Sequence, residues 1–309
     1  TGYEIPEELK IKEQRLAKIK EAKEALEKRE QELNPGKKID AKKQISFADK
    51  EARIMGKKGG FDYSYNGQIS VDEDNQIIVG QHLSQNANYK QEAEPGIRKI
   101  KETTGDLPNT MSLDNGYMSG NNLEAFEDKE TDVYIATGKG EKKDHRDIED
   151  SNRKIKKTDF SYDEDKDCFV CPAGHTLELK TETSDGKKVY QGDKAECDIC
   201  PYKARCCSSK RGAPRTINTD DKELLRQKMN EKMEQESSKE IYKKRKKIVE
   251  PVFGQIKNSG FRGFSLQGHE KASGEFSLTC AVHNFKKIVK AIICGKVCLD
   301  SGRLAPVVA

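Results

Sequence analysis

The sequence predicts an α/β protein, a mixed sheet flanked by helices, with a small β subdomain inserted late in the chain. Three observations carry this expectation. Strand-like and helix-like patterns alternate between Tyr63 and Thr137, helical spacing returns beyond Asp220, and six of the nine cysteines crowd between Cys168 and Cys207. Strands that alternate with helices favour a sheet with parallel members.

The elements follow in order. Pro6 to Leu33 places Ile11, Leu16, Ile19, Ala22 and Leu26 at helical spacing in a highly charged background, so it reads as a long helix, an arm or dimer contact rather than core. Asn34-Pro35-Gly36 stops it, and a polar linker runs to Phe47. Gln68–Asp72 and Gln76–Gly80 read as two strands joined by Glu73-Asp74-Asn75. A helix follows over Tyr89–Thr104, across Pro95, then a strand at Thr110–Asp114, a helix at Asn121–Lys129 and a strand at Val133–Thr137. Gly138–Thr158 is charged and poor in apolar residues, as a linker is. Asp220–Ser259 is a long basic helical region, and Gly268–Ala291 is a helix with apolar Phe276, Leu278, Ala281, Val282, Phe285 and Ile288. The tail after Cys294 shows no pattern. The expected organisation is therefore 1–46, helix and linker; 47–140, first part of the main domain; 141–215, linker and Cys-rich insertion; 216–292, helices completing the main domain; and 293–309, tail.

A chain of 309 residues is long enough to bury a core, although only 33% of its residues are hydrophobic and 36% are charged. Its longest apolar stretch, near Ile288–Cys294, falls short of the roughly 18 residues a membrane span needs, and no apolar leader opens the sequence. A soluble, cytoplasmic protein with no membrane partner is expected. The net charge of +4 hides an asymmetry: Pro201–Ala291 holds 21 Lys and Arg against 10 Asp and Glu. Clustered cations of this kind, densest at Lys243-Lys244-Arg245-Lys246-Lys247, suit a polyanion such as nucleic acid.

Cys168-x2-Cys171 and Cys197-x2-Cys200 are separated by 25 residues. Thiolates two residues apart can grip one tetrahedral Zn²⁺ from a tight turn, and in a reducing compartment metal is favoured over disulfide. Four thiolates leave no open coordination position, so one structural zinc is expected, with Cys206 and His175 as reserve ligands. Cys280, Cys294 and Cys298 read as packing residues. His82, His145 and His269 read as surface or loop residues, and His283 and Asn284 as polar groups that pack a helix.

Asp72, Asp114 and Glu250 stand apart from the other acids because each lies at the edge of an expected element or in a helix rather than in a charged run. Carboxylates converging from two strand ends and a helix suit hard divalent cations, and a metal pair about 3.5–4 Å apart supports phosphodiester displacement.

These residues carry a family resemblance. Gly67-Gln68-Ile69-Ser70-Val71-Asp72, Asp114-Asn115-Gly116-Tyr117 and Glu250-Pro251-Val252-Phe253-Gly254-Gln255-Ile256-Lys257 resemble, in order, the three acidic motifs of the DDE transposases of bacterial insertion sequences. Glu250 and Lys257 keep the E-x6-K spacing. Tyr242 and Arg245 resemble the Tyr and Arg ahead of the family's catalytic Glu, with Arg245 one residue further from Glu250 than the commonest spacing. One subgroup carries a Cys-rich insertion between the second and third acids, which Cys168–Cys207 resembles, and Leu278–Phe285 resembles its final helix. The resemblance runs from about Ala48 to Ala291.

It implies a ribonuclease-H-like catalytic domain with an inserted zinc-ribbon-like subdomain. Two Mg²⁺ or Mn²⁺ would sit on Asp72, Asp114 and Glu250. Water would cut the element end, and the freed 3′-hydroxyl would attack target DNA. Tyr242, Arg245, Lys246 and Lys257 would contact DNA. The implied partners are terminal inverted repeats and target DNA, with a homodimer when DNA-bound, in the cytoplasm and associated with the nucleoid. Such enzymes have a helical end-recognition region upstream; here only the Pro6–Leu33 helix precedes the catalytic part, so a truncated copy is expected. The competing expectation is a zinc-containing DNA-binding protein without catalysis, or a decayed remnant; the three intact acids favour the enzyme.

Overall fold

The computed structural model describes residues 11–57, 59–137, 148–149, 152–184, 186–209, 211–300 and 303–306. The first turn of the expected N-terminal helix and residues 138–147, 150 and 151 of the expected Gly138–Thr158 linker, with His145, lie outside the described residues. The fold is mixed α/β, and the chain divides into two compact units, one of Thr1–Leu107 with Lys246–Ala309 and one of Pro108–Arg245.

The first unit begins with the helix Lys12–Leu33, closed by Asn34 and by Gly36 at φ 75°. The helix is largely exposed but buries Ala22 and Glu30, and the Glu30 carboxylate is held by Arg29 and Lys43 at 3.1 and 2.9 Å. Two antiparallel hairpins follow, Arg53–Lys57 with Gly60–Ser64 and Asn66–Val71 with Ile78–Ser84. The second runs from Asn66 opposite Ser84 to Val71 opposite Ile78, so Asp72 leaves the strand directly into the turn. The helix Ala93–Thr104 starts four residues later than its apolar pattern suggests; Pro95 falls in the first turn, where a missing N–H breaks no helical bond.

Two C-terminal helices complete the core: the Lys246–Asn258 part of the helix Glu236–Asn258, and His269–Ile293. Ile78, Leu83, Val252, Ile256, Ala272, Phe276 and Cys280 form the buried cluster. Gly67 is needed here, because a Cβ would meet the Phe276 ring at 2.9 Å. Val252 and Ile256, one turn apart, make the buried stripe of the basic helix, while Phe253 is only partly covered. Asp49 and Glu51 cap the start of the last helix, accepting from the backbone N–H groups of Gly268 and His269 at 3.0 and 2.9 Å. The tail, patternless as sequence, forms the hairpin Val297–Asp300 with Arg303–Pro306.

The second unit holds the parallel pair Thr110–Leu113 and Asp132–Ile135, connected through the short helix Gly120–Glu124. The expected helix to Lys129 is thus only one turn, followed by turns. Five antiparallel strands form a meander: Ser161–Asp163, Cys168–Val170, Thr176–Glu182, Lys187–Gly192 and Thr216–Asp220. Their core is Ile155, Phe160, Phe169, Leu177, Tyr190 and Ile217. The expected single helical region beyond Asp220 is two helices, Glu223–Glu234 and Glu236–Asn258, broken at Gln235. Among the described residues no helix is long and apolar enough to cross a membrane.

Candidate active site

Asp72 ends its strand with a closed turn. Its N–H donates to the Ile77 carbonyl at 3.0 Å, and its two carboxylate oxygens accept from the backbone N–H groups of Asn75, at 2.8 Å, and Ile77. A carboxylate has about four acceptor positions, so these bonds orient the group and still leave lone pairs for a hard cation. Glu250, in the same unit, is exposed on the basic helix, flanked along the chain by exposed Lys246, Lys247 and Lys257. Lys246, Glu250 and Lys257 fall within about 40° of one another at 100° per residue, one solvent-facing stripe.

Asp114 belongs to the second unit and immediately follows the strand Thr110–Leu113. Its carboxylate accepts from the Asn115 N–H at 2.8 Å and pairs with Arg245 at 3.5 Å. Tyr242, one turn before Arg245, is half-buried, and that burial holds its hydroxyl above the ordinary value despite the neighbouring guanidinium. Arg245, expected to contact DNA, thus faces the Asp114 carboxylate here.

The cysteines divide in a way their spacing did not reveal. Cys171, Cys197, Cys200, Cys206 and Cys207 line one small cavity with His175. Thiol hydrogen bonds link Cys206 to Cys207 and Cys207 to Cys197. Cys168 is buried but does not line that cavity. Phe169 lies in the β core with Cys171 packed against it, whereas Cys168, next to Phe169 in the strand, takes the opposite face by strand alternation. Cys280 is buried as expected, but Cys294 and Cys298 are exposed, because the last helix ends at Ile293 and the tail turns back as a hairpin. Five thiols and an imidazole, side chains of the types zinc takes as ligands, thus face one space. As placed, though, no group of three or more His, Cys, Asp or Glu among the described residues is gathered to hold a metal ion.

The remaining polar expectations resolve locally. His82 lies within a strand and bonds the buried Glu92 at 2.8 Å, rather than sitting in a loop, and His269 bonds the Leu83 carbonyl. His283 and Asn284 do pack their helix, onto the backbone of Gln76 and Ile78.

Residues 170–289 match the family described as the transposase DDE domain. The match supports a DDE transposase. Within this DDE segment lie Glu250, Tyr242, Arg245, Lys246, Lys257 and all the cysteines of the cavity; Asp72, Asp114 and Cys168 precede it. Neither the curated proteins nor the solved structures yield a match.

Sequence reasoning missed Gln76, just past Asp72, and Gln255 and Lys287, which each donate to its side-chain oxygen. A signal for Gln76 was present: Pro251 leaves a helix carbonyl four residues earlier without its donor, and something must supply one.

Proposed function

We propose that this chain is a DDE transposase that cleaves DNA at insertion-sequence ends and transfers the freed strand to target DNA. The observation that carries the reading is that the DDE match includes Glu250 on its basic helix, while Asp72 and Asp114 each directly follow a strand. A ribonuclease-H-like catalytic domain accounts for acids at those two strand ends and on a helix.

Asp72, Asp114 and Glu250 are the catalytic carboxylates of this reading, oxygen donors for Mg²⁺ or Mn²⁺. Two such cations, when bound, activate the attacking oxygen and stabilise the leaving one. Asp72 is held in aim by its own turn, and Glu250 projects from a helix whose lysines attract the phosphate backbone. Arg245 neutralises Asp114 when no cation is present. The thiol cavity supports a structural zinc whose ligands come from Cys171, Cys197, Cys200, Cys206 and Cys207, with Cys168 outside the set. Terminal inverted repeats and target DNA are the partners, with a homodimer forming on DNA in the nucleoid.

The test is incubation of the purified chain with labelled element-end DNA and Mg²⁺ or Mn²⁺. Nicking at the element end followed by strand joining is expected. DNA binding without cleavage in either cation would leave the non-catalytic DNA-binding protein as the better account.

A further inference from the structure

Gln76 closes the Asp72 turn at φ 58°, a left-handed conformation rare outside glycine. Such a residue is strained and persists only where its surroundings over-determine it. Here they do. The Gln76 carbonyl accepts from His283 Nε2 at 2.9 Å, and its side-chain oxygen accepts from Lys287 Nζ at 2.7 Å and Gln255 Nε2 at 3.3 Å. Its side-chain nitrogen donates to the Lys247 carbonyl at 3.0 Å.

That last bond has a specific cause. In a helix the Lys247 carbonyl would accept from the N–H four residues on, but that residue is Pro251, which has none. Gln76 supplies the missing donor at the Lys247 carbonyl, three residues before Glu250 along the chain. At the other end of the same turn, Asp72 receives the N–H groups of Asn75 and Ile77. Just beyond the turn, Asn284 bonds both the N–H and the carbonyl of Ile78 at 2.8 Å, so the turn has little freedom to shift. All these residues belong to the first unit.

We propose that Gln76 is a positioning residue for metal binding, which sets the Asp72 turn against the Glu250 helix by replacing the backbone donor that Pro251 lacks. The inference rests on the reading of Asp72 and Glu250 as metal carboxylates. The chemistry selects a glutamine. Glutamate has no donor for the Lys247 carbonyl, lysine and arginine have no acceptor for Lys287, and asparagine is one methylene shorter.

The experiment measures Mn²⁺ binding to the full chain by electron paramagnetic resonance, alongside thermal melting and amide exchange. Gln76→Ala should weaken Mn²⁺ binding about tenfold, the lower end of what supporting partners contribute to metal sites, and speed exchange at residues 72–78 and 247–254. Gln76→Gly accepts the left-handed backbone without strain, so it keeps the test readable if Gln76→Ala folds poorly. It should show the same weakening while melting closer to wild type, a split that a merely structural role would not produce. If Asp72→Asn and Glu250→Gln weaken Mn²⁺ binding but Gln76→Gly binds as wild type does, the proposal is overturned and the reading of the acids stands. If those acid variants leave Mn²⁺ binding unchanged, the reading fails and the proposal with it.

Discussion

Arg245 approaches the Asp114 carboxylate at 3.5 Å, with the arginine side chain mostly covered and the acid 41% exposed. An ion pair this open to water contributes at most about 1 kcal/mol. Asp114→Asn should therefore melt within about that margin of wild type while losing DNA cleavage. A much larger loss of stability would assign Asp114 to the fold instead.

Variants of Asp72 and Glu250 should differ in stability although both should lose DNA cleavage. Glu250 is exposed on a helix, so Glu250→Gln should change stability by less than about 0.5 kcal/mol. Asp72 accepts two backbone N–H groups, and Asp72→Ala should cost about 1–2 kcal/mol, as removal of a cap does. Denaturant melts of the two variants check this; equal stabilities would contradict the turn described.

Lys246 and Lys257 lie exposed on the Glu250 stripe. For Lys246→Ala/Lys257→Ala, the slope of log K against log salt for element-end DNA should flatten by roughly two, one unit for each lost phosphate contact. An unchanged slope would place the DNA on another surface.

Metal analysis should find about one zinc per chain, lost in Cys197→Ser and retained in Cys168→Ser, because Cys168 lies outside the thiol cavity. Loss of zinc in both variants would restore the ligand set that spacing alone suggests.

Glu92 supplies a pH dependence. Burial opposes its ionisation, but hydrogen bonds from His82, Ser84 and Asn86 outweigh it and hold its pKa below the ordinary 4.5. A carboxylate depressed in the folded state contributes stability that is complete above its unfolded pKa and is lost as pH falls through the folded one. Glu92→Gln should thus be less stable than wild type at pH 7, with the difference shrinking below about pH 4.5. A difference that stays constant with pH would show that the charge of Glu92 does not matter to the fold.

What could be read from the sequence was what neighbouring residues decide. Alternation around Gln68–Val71 and Ile78–Gly80 located the hairpin and put Asp72 at its strand end, and Gly268 marked the start of the last helix. The less legible features depend on residues far apart. Nothing near Gln76 announces a left-handed backbone, because its partners are about 170 to 210 residues away. The Cys168 pair has ideal metal spacing, yet Cys168 lies in a strand that ends at Val170 and Cys171 lies beyond it at the cavity, a boundary that spacing alone does not give. Asp114 was recognisable as an acid at a strand end, but its pairing with Arg245 depends on a helix more than a hundred residues on.

The first unit is assembled from both ends of the chain. A ribosome releases the Asp72 hairpin long before Val252, Phe276 and Asn284, the groups that pack and clamp it; Asn284 follows Ile78 by 206 residues. At about 5–20 residues per second that interval is ~10–40 s, during which the second unit, an unbroken stretch, can fold while the hairpin waits without a core. A break in the chain between Arg245 and the last helix leaves the second unit whole in sequence but that hairpin unpacked, with the Asp72 turn unclamped.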